Sequence, residues 1–193
     1  LKAAQTDFQL AMKQRPKSSD DWVSVALARL PDDPEQSLKD LQTADTLFGV
    51  NSTVLQSMAH VLSEHLHRPE EAIVALDRLL EKSPDFQKAL AGRAVLMARA
   101  GKVDEVRRDL QRLTTLPMPP TTESLYQMAC ACALCSEADS QLKKQALLYL
   151  AEAVERGYGG QLLLTDPDLE LLRTNPEFDV IVKHFELTTA YRK

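Results

Sequence analysis

Aromatic residues are scarce, 5% of 193 positions with a single tryptophan. A β-sandwich core leans on aromatic and β-branched side chains, so the shortage favours helix-on-helix packing, to which abundant Leu and Ala are suited. Positive charge is not in excess either. A net charge of −5 and a pI near 5.4 argue against a nucleic-acid surface, which needs clustered Lys and Arg. No apolar run approaches the roughly 18 residues of a membrane-spanning helix, so no membrane insertion is expected. Three cysteines, an odd number, do not close a disulfide framework and point to a reducing, cytoplasmic setting. Neither GxGxxG nor GxxxxGK[ST] occurs, and no Ser or Asp sits in a nucleophile motif. Gly157-Tyr158-Gly159-Gly160 reads as a helix end and turn rather than a phosphate cradle. No signal peptide is visible, and Leu1 falls in mid-pattern, so the expectation is that the natural start lies upstream.

What is present is periodic. The 34 residues from Thr53 to Phe86 read as two amphipathic helices and a turn. Val54, Leu55, Met58, Ala59, Val61 and Leu62 form one apolar stripe at three-to-four-residue spacing, with Asn51-Ser52 as its N-cap. His67-Arg68-Pro69-Glu70-Glu71 breaks that stripe and restarts a helix, proline and acids suiting a first turn. Ala72, Ile73, Leu76, Leu79 and Leu80 form the second stripe, and Ser83-Pro84 ends it. Ala72, Leu76, Leu79 and Pro84 are matched 68 residues earlier by Ala4, Phe8, Ala11 and Pro16. They are matched again 34 residues later by Val106, Leu110, Leu113 and the Pro117, Pro119 and Pro120 cluster. A period of 34 marks helical-hairpin repeats.

On these residues the chain resembles the tetratricopeptide repeat family. Small residues fall where helices of a hairpin approach closely (Ala94, Cys130, Ala72, Ala146), Gly101 falls at an inter-helix turn, Pro84 closes a unit, and Trp22 takes a place where the family often has tryptophan. The resemblance implies an all-α fold, a right-handed α-α superhelix of about four hairpins. The expected parts are a leading half-repeat 1–16, repeats 19–50, 53–86, 87–119 and 123–157, and C-terminal capping helices over 158–193. The first repeat should be capped by Ser19-Asp20. The last repeat should carry a lengthened turn, SEADSQLKKQ, of the kind that often serves recognition. The tail offers Asp166-Pro167 and Asn175-Pro176 as helix starts, and is similar to segments that close bacterial arrays of this family. Leu169, Leu172, Phe178, Ile181, Val182 and Phe185 are placed to cover the last hairpin. The leading helix lacks its partner, leaving an apolar edge through which two copies could pair as a homodimer.

Two clusters invite chemistry. Cys130, Cys132 and Cys135 resemble a metal set, but Cys130 and Cys132 point about 200° apart on an α-helix, so packing thiols are expected. His60, Glu64 and His65 have the spacing HxxxEH, which fits neither HExxH nor HxxEH, so no metal, cofactor or catalytic residue is assigned and the chain is not read as an enzyme. The family's first helices line a concave face. By that resemblance the peptide-groove candidates are Val23, Leu27, Leu30, Ser57, Val61, His65, Lys88, Ala91, Val95, Arg99, Gln127 and Leu134. They describe a mostly apolar trough suited to an amphipathic helix or extended segment of a protein or peptide partner. The Lys, Asn and Arg clamp of chaperone-binding members is largely replaced by Val, Leu, Ser and Ala. The expected function is a protein–protein interaction scaffold, with a regulatory tail of a larger enzyme, such as a bacterial serine/threonine kinase, as the alternative.

Overall fold

The structure, a computed structural model, describes residues 16–190, with side chains as far as Thr188. Every regular element among the described residues is helical. The expected leading helix, and the dimer edge it was to provide, lie outside the described residues. The chain forms two compact units, Leu1–Pro84 and Asp85–Lys193.

The first unit holds two hairpins, α1 (Ser19–Arg29) with α2 (Pro34–Phe48) and α3 (Ser52–His60) with α4 (Pro69–Lys82). Local chemistry sets the boundaries. Ser18, one residue ahead of the expected cap, forms a capping box with Asp21, each side chain bonding the other's backbone N–H at 3.1 Å. Asp33 caps α2, with Pro34 at the first helical position. The Asn51 carboxamide accepts from the Thr53 and Val54 amides and opens α3. Ala26, Leu41, Ala44, Val54, Leu55, Ala72 and Leu79 are buried. Each fully buried Leu contributes about 2 kcal/mol through removal of apolar surface from water.

One feature departs from the expected α-helical period. Beyond His60 the helix widens into a π-helical turn, Val61–His65, in which the Leu66 amide reaches the Val61 carbonyl at 3.0 Å, five residues back. His67 then takes φ 54°, a left-handed helix stop usually filled by glycine. The Arg68 amide bonds the Leu62 carbonyl at 2.8 Å to complete the stop.

The second unit holds α5 (Gln87–Arg99) with α6 (Val103–Thr115) and α7 (Thr122–Leu134) with α8 (Ser140–Glu155). Two 3-10 turns, Gly160–Leu162 and Pro167–Leu172, and α9 (Pro176–Ala190) follow. Gly101, at φ 70°, makes the α5–α6 turn. The lengthened turn expected before the last helix is mostly helix. Asp139 caps it by accepting from the Gln141 amide at 2.8 Å, so α8 starts at Ser140 and the extra residues form helical turn rather than a recognition loop. Asp166 and Asn175 open their helices as the two Asx-Pro pairs predict, accepting from the amides of Asp168 and Glu177. Leu169, Leu172, Phe178 and Ile181 are buried, while Val182 and Phe185 are half-buried.

Gly159 and Gly160 let the tail lie close to α7. A Cβ on Gly159, already at φ 79°, would stand 2.2 Å from the Tyr126 ring. A Cβ on Gly160 would stand 2.1 Å from the Phe185 ring.

Candidate functional site

Within each unit, polar contacts join positions about one hairpin apart. In the first, Asn51 donates to the Ser19 hydroxyl, 32 residues away. Arg78 forks onto Asp45 at 2.8 and 3.1 Å, 33 residues away. In the second, Gln87 bonds the Thr121 amide, 34 residues away, at 3.1 Å. Arg107 bonds Asp139, 32 residues away, at 2.8 Å. Inside the hairpins, buried Asp40 takes Arg29 at 2.9 Å and buried Asp109 takes Arg93 Nε at 2.9 Å. These pairs neutralise carboxylates that would otherwise be buried unpaired, a cost of several kcal/mol per ion.

The expected groove residues do not share one open surface. Val23, Leu30, Val61, Ala91 and Val95 are core residues. Ser57, Gln127 and Leu134 are half-buried, and Leu27, His65, Lys88 and Arg99 are exposed. The smooth apolar trough is therefore corrected. First helices pack on first helices, α1 on α3 and α5 on α7, and this consumes the apolar positions. A charged residue at Val95, only 8% exposed, would disrupt packing before it could disturb a partner. Leu27, at 44%, remains an apolar surface position. Lys88 is engaged by Glu123 at 2.7 Å.

Arg99 leads to a cluster that the sequence did not disclose. Its guanidinium forks onto Asp168, Nε to Oδ1 at 3.0 Å and Nη2 to Oδ2 at 2.9 Å. Two residues earlier in the tail, Asp166 Oδ2 accepts the Tyr126 hydroxyl at 2.8 Å and faces the Cys130 sulfur at 3.9 Å. Arg173 Nη2 donates to the Asp166 carbonyl at 2.7 Å. Asp166-Pro167-Asp168 is thus held against α5 and α7 from three sides. The partners on α5 and α7 lie 36 to 69 positions away in the chain, so no local motif could announce them. The only sequence signal is the Asp-Pro helix start.

Cys130, Asp166 and Asp168 bring ligand atoms within 4.8 Å of one another, yet their chemistry does not suit an ion. Both Asp168 oxygens hold Arg99, and both Asp166 oxygens already accept. Burial, with Asp166 and Asp168 beside it, pushes the Cys130 thiol well above its ordinary range. It stays protonated at neutral pH, where a metal ligand must be thiolate. Burial likewise pushes Cys132 up to about 12. All three cysteines are free and buried. This cluster is a structural clasp.

The histidines are arranged otherwise. His60 and His65 meet edge-to-face with ring centroids 5.3 Å apart, and both residues are exposed. His60 is the last residue of α3. Partial burial first, and the neighbouring His65 second, hold its pKa below the usual 6.5. Glu64 opposes that shift, and its Oε1 accepts the Ser63 hydroxyl at 3.1 Å.

A cleft of about 290 Å³ lies between α6 and α8, lined by Arg107, Gln111, Asp139, Gln145 and Tyr149 among others. The Arg107–Asp139 pair occupies part of its wall. No helix among the described residues is long and apolar enough to cross a membrane. Comparison of the chain with protein-family models, with curated proteins and with solved structures gives no match.

Proposed function

We propose that the chain is a tetratricopeptide-type interaction module, a non-catalytic scaffold that holds a peptide or helix of a partner protein against the first helices of its hairpins. The observation that carries this reading is the set of polar contacts at about one repeat length, which tie hairpin to hairpin within each unit. Bonding between successive hairpins is the physics of a stacked repeat, and repeat proteins offer extended faces rather than single pockets. Helix starts agree with it. First helices begin at Ser19, Ser52, Gln87 and Thr122, intervals of 33, 35 and 35 residues. The buried ion pairs and the clasp at Asp166 and Asp168 serve folding, which favours a scaffold over an enzyme. Contact with the partner falls to the exposed and half-buried positions, Leu27, Ser57 and His65 in the first unit and Lys88, Gln127 and Leu134 in the second.

A displayed peptide library selected on the whole chain tests the proposal. The expected result is an enriched sequence class that binds saturably and loses at least tenfold affinity in Leu27→Glu or Lys88→Glu, with helicity unchanged. Enrichment that neither substitution affects, or no enrichment, contradicts it.

A further inference from the structure

The HxxxEH run of the first unit fits no α-helical metal motif, but it does not lie on an α-helix. On an α-helix, residues five apart stand about 140° apart around the axis, and two imidazoles so placed cannot share a ligand. The π turn at Val61–His65 adds one residue to the circuit, closing its hydrogen bond five residues back rather than four. His60 and His65 are thereby stacked on one face, as residues four apart are on an α-helix. Their separation is suggestive in its own right. With zinc–nitrogen bonds of about 2.0–2.1 Å, two imidazoles on one tetrahedral zinc have ring centroids roughly 5 Å apart, against 5.3 Å here.

We propose that His60 and His65 form a binding site for a divalent late first-row transition ion such as Zn²⁺, with water completing the coordination sphere. Imidazole pairs suit this class of ion, and not Mg²⁺ or Ca²⁺, which take oxygen ligands. Both residues are exposed, and rotation of an exposed side chain takes picoseconds to nanoseconds, so either ring nitrogen can be brought to the ion. Glu64, adjacent to His65, adds negative potential at the site. The guanidinium of Arg68 is turned onto Glu71 and Glu35, with nitrogen–oxygen distances of 2.7 and 3.5 Å. The site does not depend on the interaction reading above.

Zinc titration of the whole chain by calorimetry at neutral pH is the test. The expected result is one saturable equivalent, weakened at least tenfold by His60→Ala and by His65→Ala. His67→Ala and His184→Ala, the remaining histidines, should change affinity less than twofold. In the unsubstituted protein, the imidazole nitrogen resonances of both His60 and His65 should shift together with zinc, a readout independent of any variant's folding. Absence of saturable binding, retention of affinity in either alanine variant, or a shift confined to one of the two rings overturns the proposal.

Discussion

The buried clasp in the second unit and the histidine pair in the first both gather side chains of metal-ligating types, yet the fold places them in opposite ways. Around Asp166 and Asp168 every carboxylate oxygen has a donor, the thiol is held protonated, and the groups come from three separate segments. His60 and His65 lie on one turn, exposed to water, and touch each other edge-on. Chemical potential is therefore not legible from which residues gather. A triad of ligand-type side chains can be fully engaged by arginine and tyrosine, while a pair that matches no motif stays exposed. Burial with complete pairing makes a clasp, and exposure leaves the histidine pair open to water.

The largest expected effect comes from opening the clasp. Arg99→Met leaves the nearly buried Asp168 carboxylate without its fork and should cost about 3 kcal/mol, the penalty of an uncompensated buried charge. Arg99→Met with Asp168→Leu should recover most of that loss. Urea unfolding of both variants measures it, and equal instability of the single and double variants would show that the carboxylate is not the cause.

Gly160→Ala should follow, at about 2 kcal/mol, because a Cβ cannot coexist with the Phe185 ring where it stands, and the ring or α9 must shift. A thermal unfolding curve indistinguishable from the parent would separate the glycine from the clasp. Smaller again is His67→Gly. It relieves a non-glycine residue at φ 54° and should stabilise the first unit by about 1 kcal/mol, with a corresponding rise in urea midpoint.

The smallest effect concerns protons. His60 has a lower pKa folded than unfolded, so the unfolded chain takes up the proton first as pH falls. Its contribution to stability is level above the unfolded value of about 6.5 and declines as pH drops from there to the folded pKa. His60→Gln should therefore narrow the stability difference between about pH 8 and pH 5.5, by roughly 0.3 kcal/mol once solvent screening around an exposed ring is allowed for. A widened difference would reverse the sign of the argument.

Much of the fold was legible in the sequence because its signals are local. Asp33-Pro34, Asn51, Pro69, Gly101, Asp166-Pro167 and Asn175-Pro176 each fix a helix end through atoms within four residues. What escaped was set at longer range or by finer geometry. The π turn adds one residue to a helical circuit, a change that apolar periodicity over Val54–Leu62 does not register. The trough failed because periodicity identifies an apolar face without saying what covers it. Val95 and Val61 turned out to be covered by neighbouring helices, and Leu27 did not. Arg99 was singled out as a groove residue with no sign of Asp168, 69 positions on. The HxxxEH spacing matches no α-helical metal motif, and the π turn at Val61–His65 beneath it leaves no signal in the apolar period.

Cobalt titration of the whole chain, followed by absorption, tests the division between clasp and site most directly, since the ion reports its ligands by colour. The account predicts one bound equivalent with weak ligand-field bands, no sulfur-to-cobalt charge-transfer band, and loss of the bound signal in His60→Ala. A charge-transfer band surviving that substitution would place the ion at Cys130 and contradict the account.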